Sequence, residues 1–366
     1  MPTGPVNYNT FTPGISSDND SASTTISDAL VSGNNVLAVE VHQASSGSSD
    51  ISFDFKLSGN APGSVNVSRG PYLQKGTPSS MVIKWRTASP TESVVDYGTS
   101  LGNLNQNVSD LSLKTEHEIE ITGLTSNSIY YYQISNSSAV LVPEASDLFF
   151  KTHPTVGSSQ PFTFWALGDC GTANNDQRAV RDAYYSYIGS NITDGILFLG
   201  DNAYNDGTDS EYQLALFENM YENKLKNSVA WSTLGNHDGH SADSNSQTGP
   251  YYDIFTFPTA GESGGMASGT EAYYSFDYGN VHFIVLESYE TDRSVGGAMY
   301  NWAQSDIQNT TQEWIVAFWH HPPYTKGSHN SDTESQLIDM RQNFLPMLES
   351  NGVDLVLAGH SHSYER

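Results

Sequence analysis

Cysteine is almost missing from this chain: Cys170 is the single one in 366 residues, so no internal disulfide can form and redox compartment leaves no mark. Basic side chains are scarce as well. Fifteen Lys and Arg face 41 Asp and Glu, a formal net charge of −26. That balance argues against a nucleic-acid or anionic-membrane partner, because phosphate backbones are held by Lys and Arg. A phosphate-bearing substrate would need local positive charge from another source, most simply metal ions. No apolar run approaches the roughly 20 residues that span a bilayer. The polar, Gly/Pro-rich start after Met1 is no signal peptide. The acidic excess reads as a solvated surface suited to a secreted or cell-surface protein, and both ends of the chain read as truncated.

What is present is a repeated device. Ile196–Leu199 is an unbroken apolar run, the mark of a strand buried on both faces, and it stops at Gly200-Asp201 with Tyr204 close behind. Phe162–Leu167 runs likewise into Gly168-Asp169-Cys170-Gly171, and Val229–Leu234 into Gly235-Asn236-His237-Asp238. Trp314–Trp319 runs into His320-His321-Pro322-Pro323-Tyr324, and Val353–Ala358 into Gly359-His360-Ser361-His362. Five buried strands thus deliver Asp, Asn, His or Tyr at their carboxyl ends, where open α/β sheets place their ligands.

In chain order, residues 1–62 form a polar lead-in followed by a hairpin, Val36–Val41 with Ile51–Leu57. NNVLAVEVHQASSGSSDISFDFKL resembles the closing strands of galactose-binding-like jelly rolls, so this part reads as a jelly-roll remnant, with His42 structural and a glycan or surface contact as its role. Residues 65–153 carry short alternating segments at sandwich spacing: Met81–Trp85, Ser93–Tyr97, Glu116–Ile121, Ile129–Ile134 and Asp147–Lys151. Trp85 is the core anchor, and Leu124 with Tyr130 to Tyr132 suggests a tyrosine corner. Over 154–366 strands alternate with helical spacing at Asp176–Ile188, Glu211–Lys226 and Ser335–Ser350, with a hairpin at Tyr273–Tyr278 and Val281–Glu287 and a flexible loop at Gly261–Gly269.

A two-metal centre for phosphate esters needs a bridging carboxylate plus terminal oxygen and nitrogen ligands. The five loops supply Asp169, Asp201, Tyr204, Asn236, His320, His360 and His362. These are too few for two separate four-ligand sites, but enough if Asp201 is shared. A Tyr204 phenolate favours a hard, highly charged cation, hence Fe(III). His360 and His362 flank one residue of extended chain and share a face, so they can serve neighbouring metals. The remaining histidines His117, His153, His240 and His282 read as ordinary core or surface residues, and Cys170 as a small buried filler.

GDCG, GDNAY, GNHD, FWHHPPY and GHSHSYER, in this order, resemble the five blocks of the purple acid phosphatases within the calcineurin-like metallophosphoesterases. PYLQKGTPSSMVIKW with GLTSNSIYYYQI resembles the fibronectin type III-like domain that precedes their catalytic domain. The resemblance implies an α/β, four-layer metallophosphoesterase sandwich behind an all-β sandwich. It implies Asp169, Tyr204 and His362 on a ferric ion, Asn236, His320 and His360 on a divalent ion (Zn, Fe or Mn), and Asp201 between them. His237 matches the histidine that contacts the substrate phosphate, and His329 the position of an outer histidine, a proton donor to the leaving group. His320 is preferred over His321 because His-x-Pro-x-Tyr is the family spacing. Ala317 departs from the usual Val without moving that histidine. The implied reaction is attack of a metal-held hydroxide on a small phosphate monoester. The alternatives are a phosphodiesterase or nucleotidase on the same scaffold, or a surface protein that binds glycans and carries an inactive phosphatase domain.

Overall fold

The structure, a computed structural model, describes residues 65–366. The hairpin of the jelly-roll reading, with His42, lies outside the described residues. The amino-terminal part is built from β1 (Val67–Gln74), β2 (Ser80–Gly98), β3 (Gln106–Thr122), β4 (Ile129–Ser135), β5 (Val140–Val142) and β6 (Phe149–Lys151). Met81–Trp85 and Ser93–Tyr97, expected as two strands, are the halves of the single bent strand β2. The register against β3 slips between Arg86 and Ser93, so the chain bends without leaving the ladder. The first half also pairs with β1 and the second with β4. Trp85 is buried in this core, stacked on His117, whose two ring nitrogens bond Thr87 and Ser93 hydroxyls. The Tyr130 hydroxyl accepts from the Thr125 backbone N–H at 3.0 Å, the expected corner.

Two further groups of strands carry the rest. β7 (Phe164–Leu167), β8 (Gly195–Phe198) and β9 (Val229–Ser232) run parallel, and β9 pairs with β1 at Leu73↔Val229, which makes one continuous sheet with the amino-terminal strands. The second sheet is β10 (Tyr274–Tyr278), β11 (Val281–Val285), β12 (Trp314–Trp319) and β13 (Leu355–Ala358), parallel except for the β10–β11 hairpin. Alternation along the strands sorts their side chains into layers. Phe164 and Phe283 meet between the sheets, as do Trp231 and Phe276, stacked at 3.8 Å. On the outer faces, Trp165 stacks on Tyr184 of α1 (Asn175–Ile188). Ile284, Ala317 and Trp319 pack with Met299 and Ala303 of α2 (Ala298–Asn309), and with Met340 and Phe344. Helix, sheet, sheet and helix make the four layers expected.

Helix continuity was less regular than the spacing predicted. Glu211–Lys226 is broken into Asp209–Tyr212, a π-helical turn Gln213–Phe217 and Glu222–Leu225, because Asn219 takes a left-handed φ of 54°. Ser335–Ser350 likewise contains a π-helical turn, Met340–Phe344, just before Pro346, whose missing N–H cannot continue an ordinary ladder. Helix α2 was not anticipated; Gly297 gives it no side-chain cap.

The Gly261–Gly269 loop is tied down rather than free. His282 is fully buried between Asp277 (2.7 Å) and Asp306 (2.9 Å), and Asp306 also accepts the Met266 N–H at 2.6 Å. Burial works to lower the His282 pKa, but hydrogen bonds to both carboxylates outweigh it and push it up to about 9. A raised histidine pKa stabilises the fold fully below the unfolded value of 6.5, and that stability is lost as pH rises through about 9. The expected loss is about 3 kcal/mol. Denaturation at pH 6 and pH 9.5 should show it, and His282→Gln should remove that part of the pH dependence. Equal slopes in the two proteins would disprove the linkage.

Candidate metal centre

Five strand ends converge. Asp169 follows β7, Asp201 follows β8, Asn236 follows β9, His320 follows β12 and His360 follows β13. Asp169, Asp201, His360 and His362 all sit at positive φ, between 46° and 71°. Left-handed backbone costs a non-glycine residue of order 1–3 kcal/mol, and is held only where surrounding contacts impose it.

The seven expected ligand residues form two touching groups. In the first, Tyr204 Oη lies 3.2 Å from Asp169 Oδ1, 3.1 Å from Asp201 Oδ2 and 3.1 Å from His362 Nε2. In the second, His320 Nε2 lies 3.2 Å from Asn236 Oδ1, 3.2 Å from His360 Nδ1 and 3.3 Å from Asp201 Oδ2. One oxygen of Asp201 therefore belongs to both groups. His321 also lies beside His320 and His360, their ligand atoms within 4.8 Å of one another, and its Nδ1 meets the Ser288 hydroxyl at 2.9 Å.

The hydrogen bonding behind these groups shows what they fit. His320 Nδ1 donates to the Leu199 carbonyl at 2.8 Å, which aims Nε2 at the converging groups. His360 Nε2 donates to Glu334 at 3.2 Å, which leaves Nδ1 as the lone-pair nitrogen. Once His320 gives up its Nε2 proton, two imidazole lone pairs, a carboxylate oxygen and an amide oxygen face one point. A metal ion can take the place of that proton, so the donor set suits one. The electrostatics agree. Burial lowers the proton affinity of His320, yet Asp201 and then Asp169 raise its pKa to about 9. Burial, followed by Asp169 and Asp201, pushes the Tyr204 hydroxyl far above the ordinary phenol range. Only strong positive charge would ionise it.

Two residues that the sequence reading passed over hold these groups in place. Asp238 is fully buried and accepts the N–H groups of Gly235 (2.9 Å) and Asn202 (3.1 Å), the Asn202 side-chain amide (2.9 Å) and the Tyr212 hydroxyl. It locks the loop after β8 to the loop after β9. Its place at the end of GNHD was the available signal. Glu334 orients His360 and also accepts from His329 Nδ1 at 3.0 Å; nothing in its neighbourhood of sequence marks it. His329 packs on His360, ring centroids 3.6 Å apart, and with Glu334 and His360 forms a further cluster of ligand-type atoms within 4.8 Å of one another. His237 stands at the lip. Its backbone N–H donates to Asp201 Oδ1 (2.9 Å) and its ring tilts over Tyr204 at 4.5 Å.

Glycine is required beside the shared carboxylate. A Cβ on Gly235 would lie 2.2 Å from Asp201 N and from Asp201 Oδ1. Gly235→Ala should therefore displace Asp201 and weaken metal retention at least about 10-fold. Metal content after dialysis against a chelator checks this; wild-type retention would contradict it.

Residues 162–364 match the calcineurin-like phosphoesterase family, and residues 70–163 match the purple acid phosphatase N-terminal domain. The chain is 29% identical to purple acid phosphatase 15 of Arabidopsis thaliana over 68% of its own length and 49% of that protein's. It is 28% identical to probable purple acid phosphatase 20 of the same plant, over 79% and 66%. It thus spans about half to two thirds of the curated relatives it matches. A solved structure of PhoD superposes with a TM-score of 0.58 at 14% identity, covering 82% of this chain and 72% of that one, which speaks to fold alone. With a family match over more than half its length, the chain belongs to the calcineurin-like phosphoesterases, preceded by the N-terminal domain of purple acid phosphatases.

Proposed function

We propose that this chain hydrolyses small phosphate monoesters at a two-metal centre, in the manner of a purple acid phosphatase. The observation that carries the reading is the double engagement of Asp201 Oδ2, 3.1 Å from Tyr204 Oη and 3.3 Å from His320 Nε2. Asp169, Tyr204 and His362 would hold Fe(III), Asn236, His320 and His360 a divalent ion (Zn, Fe or Mn), and Asp201 would serve both. Such ions supply Lewis acidity toward phosphate oxygens and activate water at modest pH. His237, half-exposed at the lip, hydrogen-bonds a phosphate oxygen as charge develops. His329, held by Glu334, carries the proton destined for the leaving alkoxide. The acidic surface keeps anionic polymers away from a site whose positive charge comes with its metals.

In this reading residues 65–153 form a fibronectin III-like sandwich and 154–366 the catalytic domain. The protein acts outside the cell or at its surface, and a jelly-roll module at 1–62 contacts glycans or another surface. Among the described residues no helix is long and apolar enough to cross a membrane.

The test is metal analysis of purified protein, with assays on p-nitrophenyl phosphate and its bis ester. Two metals per chain and a preference for the monoester are expected; a preference for the diester would move the reading to a phosphodiesterase. If Tyr204 binds Fe(III), the iron-loaded protein is coloured by tyrosinate-to-iron charge transfer. Tyr204→Phe should bleach it while keeping the fold. An active, iron-loaded but colourless wild type would refute the ferric assignment.

A further inference from the structure

The turn between Tyr204 and Tyr212 lies in the catalytic part of the chain, yet arginines of the amino-terminal strands hold it. Arg69, on β1, has a fully buried side chain whose guanidinium lies 4.7 Å over the Phe217 ring. Its Nη2 donates to Asp209 Oδ1 at 2.9 Å and its Nε to Gln213 Oε1 at 2.8 Å. Arg86, on β2, grips the same carboxylate with both terminal nitrogens, each 2.6 Å from an Asp209 oxygen. A bidentate arginine fixes orientation as well as distance.

Asp209 begins the short helical turn capped by Thr208, and Glu211 completes the capping box. Glu211 also accepts backbone N–H groups from Asn205, Asp206 (3.1 Å) and Thr208 (2.9 Å), and the Thr208 hydroxyl at 2.8 Å. This carboxylate therefore sets the whole 205–208 turn. The carbonyl that the turn presents, that of Asn205, accepts from His237 Nδ1 at 2.6 Å. That bond fixes the ring's orientation and leaves Nε2, 4.0 Å from Asp201 Oδ2, facing the metal centre, where the Nε2–H of the imidazolium form is the donor to a phosphate oxygen.

We propose that Asp209 and Glu211 are positioning residues for His237. The arginine pair of the amino-terminal strands clamps Asp209, Glu211 shapes the turn, and the Asn205 carbonyl aims the imidazole at the substrate phosphate. The proposal rests on the role of His237 in the function above. It gives the amino-terminal β unit a part in catalysis although none of its residues touches the centre.

The test uses the full chain with 15N-labelled histidine, loaded with zinc, which is diamagnetic. At a pH where the imidazole is neutral, His237 in the wild type should show the Nδ1–H pattern, assigned by its loss in His237→Ala. Asp209→Asn and Glu211→Gln should convert it to a mixture of tautomers with zinc content unchanged. Each should lower kcat on p-nitrophenyl phosphate about 10-fold, and change it less than about twofold when His237 is already Ala. Equal fold losses in both backgrounds, or zinc lost along with activity, would make the network merely structural and overturn the proposal. An Nε2–H pattern in the wild type would overturn it without any variant. If the zinc-loaded wild type hydrolyses no phosphomonoester, the functional reading falls while the tautomer still decides the positioning.

Discussion

Asp201→Asn should empty both metal positions at once. The substitution keeps size and shape but trades a charged oxygen, shared between two ligand groups, for an amide. Neither group loses only a partner. Each loses its negative charge at the point where the lone pairs of Tyr204, His320 and the other ligands meet, and an amide NH2 turned inward would repel a cation outright. Metal per chain, measured after gel filtration, should fall from two toward zero. Phosphatase activity should fall on the order of 10³-fold or more, about 4 kcal/mol of barrier. A variant that keeps two metals at full occupancy would rule out the shared role. His320→Ala is the natural comparison. It removes a ligand from the second group alone and should spare the group around Tyr204, so loss of one metal rather than two distinguishes a terminal ligand from a shared one.

His237→Ala should give the opposite pattern: metals retained, turnover lost. The ring stands at the lip, its Nδ1 held by the Asn205 carbonyl, and nothing in either ligand group depends on it. The one tie to Asp201 runs through the His237 backbone N–H, which alanine keeps. A preorganised donor aimed at developing charge is worth about 10²–10³ in kcat. The expected result is a kcat loss of that size with metal content unchanged. Equal losses of metal and activity would show that the ring is part of the support for Asp201. His237→Gln, able to offer one N–H, should recover part of the rate.

The centre was legible because its residues come in short blocks at the ends of apolar strands. A strand buried on both faces declares itself by composition, and the residue that follows it is fixed in space by the sheet. That is why Asp169, Asp201, Asn236, His320 and His360 could be named as candidates from spacing, and why the structure brings them to one end of the sheets, while the choice of His320 over His321 rests on the His-x-Pro-x-Tyr resemblance. The failures share a cause too. Asp238 and Glu334 act by accepting hydrogen bonds from chain segments 36 and 26 residues away, and such partners leave no local pattern. The breaks in Glu211–Lys226 and Ser335–Ser350 come from one left-handed asparagine and one proline inside otherwise sound helical spacing. Helix α2 lacks a polar cap, so its start was invisible. The bent strand β2 read as two because the irregular register at its middle looks like a turn.

The pairing of Leu73 with Val229 has a consequence for how the two family-matched segments can be separated. Residues Val229–Ser232 are wholly buried, with β8 on one flank and β1 on the other. Cutting away the amino-terminal strands would strip β9 of one neighbour and bare a short apolar edge with unsatisfied peptide groups, the kind of surface on which chains stick to one another. The front segment therefore covers the flank of β9 that its follower would otherwise leave open.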